Sequence, residues 1–155
     1  MSEPDDPGGL RRYEVVVSDE QTLPADADAV RAVAEHALAT LGVADGAELS
    51  VLLTTPERMR ELKREHLGID EATDVLAFPM DGLDSGEGPY VLGDVVLCPA
   101  VASTQAVEAG RAVLDEMNLL LVHGILHLLG HDHAEPQEKA RMWAEQDRIL
   151  AAVSR

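Results

Sequence analysis

The chain is poor in aromatic side chains: Tyr13, Phe78, Tyr90 and Trp143 are all it carries in 155 residues. A core must therefore be built from Leu, Val and Ala, and few rings are left over for stacking on ligand bases. It has one cysteine, Cys98, which excludes an internal disulfide. In the apolar run Val95-Val96-Leu97-Cys98 that thiol reads as a small buried hydrophobe. Positive charge is also scarce, with 12 Lys and Arg against 29 Asp and Glu and a formal net charge of -17. Such a balance argues against indiscriminate adhesion to nucleic acid or to an anionic membrane, both of which are repelled at long range. No apolar run reaches the roughly 18 residues of a membrane span, and Met1 to Gly9 lacks the basic and apolar regions of a secretory signal. The expectation is a cytoplasmic protein with no membrane partner.

What is present suits a globule: 46% of residues are apolar, in a length usual for one domain. Residues 1–9, acidic and rich in Pro and Gly, are expected to form a disordered tail ahead of a single domain over residues 10–155. Alternation at Tyr13, Val15 and Val17 predicts a first strand. From Pro24, apolar residues at Val30, Val33, Ala37, Leu38 and Leu41 predict a helix closed by Gly42. Leu49, Val51 and Leu53 form a second strand, followed by a helix with Thr55 as its cap, Pro56 at its first position and Gly68 at its end. Strands at 74–78 and 90–98 flank a Gly- and Asp-rich loop from Met80 to Pro89, and three helices follow: 99–109, 111–129 and 136–153. The order βαβαββααα predicts an α+β domain with a small mixed four-stranded sheet, about five helices, and a zincin-like central helix that binds metal. Strand order is not readable from this pattern.

Four of the six histidines fall within the eleven residues from His123 to His133, HGILHLLGHDH. His123 and His127, four apart, present their rings one turn apart on one helical face and can share an ion. Gly130 permits the left-handed turn that would let His133 supply a third nitrogen. The helix is apolar nearly all round, so its histidines need hydrogen bonds or a metal to offset burial. Three imidazoles leave the fourth position of a tetrahedral ion open, as in catalytic zinc sites, where bound water becomes a nucleophile near neutral pH. Cys98 is the formal candidate for closing that position.

Glu116, seven residues before His123, lies along the same helical face as a candidate supporting group. Asp74 and Asp94 are further candidates for orienting ligands or water, and His131 for proton transfer. The spacing overlays the metzincin pattern H-E-x-x-H-x-x-G-x-x-H, but Gly124 stands where the peptidase has its general-base Glu.

The run HGILHLLGHDH resembles the signature of the YbeY family of bacterial rRNA maturation endoribonucleases, whose ligand positions fall on His123, His127 and His133. Thr73 to Pro79, TDVLAFP, is similar to the family's T-D-V-L-S-F-P, and Leu92 to Val95, LGDV, to its L-G-D-I. This resemblance implies a zinc-dependent endoribonuclease with one ion per chain, cutting single-stranded RNA in 16S rRNA 3′-end processing and ribosome quality control. It implies the small ribosomal subunit as partner. Leu67 departs from the pattern, standing where many members carry an arginine implicated in RNA handling; Arg64, one turn earlier, is the replacement candidate for substrate contact. His131 replaces a usual tyrosine and Ala77 a usual serine. The alternative from another class is a ribosome-associated, metal-binding assembly factor with little catalytic activity, which the acidic charge and the shortage of aromatics favour.

Overall fold

In a computed structural model of the protein, the described residues are 12–71, 73–80, 89–130 and 135–153. The elements are β1 (Glu14–Asp19), α1 (Ala27–Thr40), β2 (Ala47–Leu53), α2 (Pro56–Leu67), β3 (Val75–Pro79), β4 (Tyr90–Leu97), α3 (Pro99–Ala109), α4 (Val113–Leu128) and α5 (Pro136–Val153). The expected α+β class with a mixed four-stranded sheet and five helices is what forms. The expected tail at 1–9 and most of the 80–89 loop lie outside the described residues. No described helix is long and apolar enough to cross a membrane.

Strand order is β1-β2-β4-β3, with β1, β2 and β4 parallel and β3 an antiparallel edge. Alternation along the strands divides the apolar side chains between two layers. Val15, Leu49, Val51, Leu53, Val95 and Leu97 join the larger core, with buried residues of α1, α4 and α5. Leu52, Leu76, Phe78 and Val96 meet Met59 and Leu62 of α2 on the other face. The near-continuous hydrophobic run of β4 follows, because that strand is covered on both sides.

Helix ends follow local chemistry. The Thr55 hydroxyl accepts the Arg58 N–H at 3.2 Å, and Gly68 closes α2 with φ +72°. The start of α1 differs from expectation: the chain stays extended past Pro24, and the Asp26 carboxylate caps the helix by accepting the Ala29 N–H at 3.1 Å. Such a cap contributes about 1 kcal/mol. Two of the few aromatics are used as anchors, the hydroxyls of Tyr13 and Tyr90 donating to the carbonyls of Val43 and Ala44 in the turn before β2.

Helix α4 approaches the sheet closely at Gly124. A β-carbon there would lie 2.8 Å from Val95 Cγ1 and 3.1 Å from Val75 Cγ2. Gly93, opposite Pro79 at an irregularity in β4, is equally confined: a β-carbon would come within 2.5 Å of the Phe78 carbonyl oxygen and 2.9 Å of Leu128 in α4. The glycines of HGILH and LGDV thus let helix and strands touch.

Overpacking of a filled core costs about 1–3 kcal/mol, while Ala in place of a mid-helix Gly returns up to about 1 kcal/mol. Gly124→Ala is therefore expected to lower unfolding free energy by a net ~1 kcal/mol in urea titration, with partial recovery when combined with Val95→Ala. A more stable single variant would disprove the close-packing account.

Candidate functional site

Helix α4 has nine buried residues, among them Met117, Leu121, Val122, Ile125 and Leu126. His123 and His127 interrupt this surface as half-buried residues. They lie one turn apart, with ring centroids 4.6 Å apart at 66°, and their Nε2 atoms converge to 3.1 Å. Two nitrogens at 2.0–2.1 Å from one tetrahedral ion sit about 3.3 Å apart. The pair is therefore close to the spacing a shared cation requires, and neutral imidazole nitrogen is a donor suited to zinc and its neighbours in the transition series.

Beyond the pair, Gly130 takes a positive φ of +92° and its N–H donates to the His127 carbonyl at 3.0 Å, turning the chain off the helix as expected. The two residues expected to follow that turn in functional roles, His133 as third ligand and His131 in proton transfer, lie outside the described residues. Among the described residues no cluster of three metal-ligating side chains occurs.

A residue the sequence reasoning passed over completes the described site. Gln146 of α5 is 3% exposed, and its Oε1 lies 3.2 Å from His123 Nδ1. It belongs to a stripe with Met142 and Ile149, which are 1% and 0% exposed and seat α5 in the core. A glutamine on an amphipathic helix carries no signal of its own; its place within an apolar i, i+4, i+7 stripe was the available clue.

The carboxylates expected nearby have other surroundings. Glu116 is buried, with Oε1 2.8 Å from Arg111 Nε. The Arg111 N–H is not aimed at that oxygen, which has no hydrogen bond, so the contact is an ion pair without alignment. Seven residues of helix separate Glu116 from His123, roughly 10 Å along the axis. Asp74 precedes β3; its side chain accepts from the Thr73 hydroxyl at 3.4 Å and its carbonyl accepts the Cys98 N–H. Cys98 is fully buried against Met59, Leu62, Leu76 and Val96 on the α2 side, and burial pushes its thiol pKa up, as befits the hydrophobe it was read to be.

Asp94 also faces away from α4, since the adjacent Val95 points at Gly124. With Ser50, His66, Phe78 and Met80 it lines a groove of about 600 Å³ on the α2 side of the sheet. Burial raises its pKa above the ordinary carboxylate value. Arg64 is exposed on α2 and makes no ion pair among the described residues, whereas Arg12, Arg31, Arg58, Arg60, Lys63, Arg111 and Arg148 are each paired with a carboxylate.

An α+β domain with paired imidazoles on a core helix is a frame suited to metal-assisted hydrolysis, and comparison with known proteins identifies the lineage. The family profile described as Endoribonuclease YbeY matches residues 16–154. The chain is 51% identical to the endoribonuclease YbeY of Salinispora tropica, covering 89% of this chain and 94% of that one. It is 46% identical to the endoribonuclease YbeY of Thermobifida fusca, over 90% of this chain and 93% of the relative. The solution structure of TM1509 from Thermotoga maritima shares the fold, with a TM-score of 0.63, 24% identity and coverage of 90% and 88%. The chain belongs to the YbeY endoribonuclease family.

The Asp94 environment makes a separate prediction. With its folded pKa raised, protonated Asp94 stabilises the fold below the ordinary value of 3.8, and that contribution is lost as pH rises through the folded pKa. Asp94→Asn is expected to raise Tm at pH 7, because it removes the charge that burial disfavours. The gain should shrink toward pH 3.5 in parallel thermal melts; a pH-independent difference would rule out desolvation as its cause.

Proposed function

We propose that this chain is a metal-dependent endoribonuclease that cuts single-stranded RNA, working in the cytoplasm on the small ribosomal subunit in 16S rRNA 3′-end maturation and quality control. The observation that carries the metal reading is the 3.1 Å convergence of His123 and His127 Nε2 on a core helix, in a chain of the YbeY endoribonuclease family. One zinc ion per chain is the cofactor proposed, with His133 as third ligand.

Hydrolysis of a phosphodiester needs an activated nucleophile and relief of charge on the phosphoryl oxygens. A zinc ion bound to these histidines would supply both, acting as a Lewis acid and lowering the pKa of water. The protein's own part is to hold two imidazoles in convergence on a helix fixed by its neighbours. His131 is the candidate for proton transfer should the ribose hydroxyl be the nucleophile, and Arg64, exposed and without an ion pair among the described residues, is the proposed phosphate contact. Peptidase chemistry is disfavoured twice over at Gly124: the position lacks a carboxylate, and even a β-carbon there would press on Val95 and Val75.

The net charge of -17 and the pairing of seven described cations with carboxylates favour one second reading, an assembly factor that binds metal and cleaves weakly. A single experiment separates the two. Wild type and His127→Ala, each assayed for zinc by elemental analysis, are incubated with labelled single-stranded RNA. The expected result is loss of zinc with a fall in cleavage of about 100-fold or more, equivalent to ~2.7 kcal/mol of barrier. Equal cleavage by both would assign the activity to a contaminant and leave the assembly-factor reading. Deoxyribose at the cleaved position is expected to leave cleavage intact; its loss would make the ribose hydroxyl the nucleophile.

A further inference from the structure

A buried glutamine in an apolar helical stripe is costly unless its amide is hydrogen-bonded. Gln146 meets that requirement in part through His123: its Oε1 is 3.2 Å from Nδ1. An amide oxygen carries only lone pairs, so this contact is a hydrogen bond only when Nδ1 bears the proton. A neutral imidazole has one N–H, which leaves His123 Nε2 as the bare nitrogen. That nitrogen is the one lying 3.1 Å from His127 Nε2. The two distances thus describe one arrangement, in which α5 grips the far side of the ring whose near side is presented to the shared position.

We propose that Gln146 is the positioning residue of the site: it holds His123 in the Nδ1–H tautomer and in the rotamer that aims Nε2 at the cation. The inference rests on the reading of His123 and His127 as metal ligands. A metal-binding histidine commonly gives its second N–H to a carboxylate or carbonyl. Here that acceptor is a neutral amide, delivered by the helix that follows the ligand-bearing helix in the chain. Its place is set by Met142 and Ile149, buried one turn to either side. A neutral acceptor orients the ring without adding a negative charge beside a cation that must withdraw electrons from substrate. A carboxylate at the same place would instead make the imidazole a stronger donor and the cation a weaker Lewis acid.

The test uses Gln146→Met, which keeps the volume and removes the acceptor, and Gln146→Glu, which keeps an acceptor. Zinc affinity is measured by chelator competition, and the His123 tautomer by nitrogen NMR of metal-free protein labelled at histidine. Wild type is expected to bind zinc with His123 as Nδ1–H. The Met variant should lose that tautomer preference and bind zinc about 10–100-fold more weakly. The Glu variant should keep the tautomer and bind at least as tightly as wild type, while cleaving RNA more slowly.

Equal zinc affinity in wild type and the Met variant would overturn the proposal while leaving the metal reading intact. An Nε2–H tautomer in wild type would overturn it as well, since the amide would then be presenting its nitrogen. Should the Met variant fail to fold, weakened affinity in the folded Glu variant would overturn it, because acceptor chemistry would not have rescued the site. Absence of zinc binding by wild type would bring down the underlying metal reading and the proposal together, an outcome distinct from the others.

Discussion

The contact between α4 and the sheet at Gly124 is the constraint on which the arrangement depends. With hydrogen in place of a side chain, the helix backbone settles against Val75 and Val95, and Gly93 lets Leu128 and the β3 backbone come together two strand positions away. A helix advances about 100° per residue, so His123 and His127 lie on average about 80° around the axis from Gly124. They face along the flank of the sheet contact, and Gln146 of α5 meets one of them. Close seating on one side and a polar grip on the flank together hold an i, i+4 pair whose rings would otherwise sample several rotamers.

The sheet separates two chemical environments. On the α4 side, imidazole nitrogens converge over an aliphatic core. On the α2 side, Asp94 and Glu20 border a groove with Ser18, Ser50 and His66, and burial already disfavours the Asp94 charge. The cation contributed by a metal would then be the chief local counterweight to the chain's own negative field. Most basic side chains are committed to neighbouring carboxylates at the surface, where each pair adds little to stability but lowers the charge left for phosphate.

Much of the architecture was legible because its signals are local. Thr55, Pro56 and Gly68 bounded α2 correctly, and the spacing of His123, His127 and Gly130 described a helix and the turn after it. Pro24 misled at α1 because a proline suits an extended lead-in as well as a first helical turn, and Asp26 provided the cap. Strand order was not legible, since β2 pairs with β4 across the whole of α2 and β3. Without that order nothing says which face of β4 meets α4, so Asp94 could be weighed as a neighbour of the histidines when its side chain belongs to the opposite face. Gly124 was read for the base it lacks; its close packing needed coordinates. Gln146 carried no signal of its own, because its contact with His123 depends on how α5 lies against α4.

The paired histidines and Gln146 sit on α4 and α5, which follow every strand of the sheet in the chain. A ribosome making this protein therefore delivers the platform first: Val75 and Val95 emerge before the helix they receive. The histidine pair comes next, and Gln146, which meets His123, follows on the next helix. Order of synthesis thus places both imidazoles ahead of the glutamine that meets one of them, and their contact forms only once α5 lies against α4.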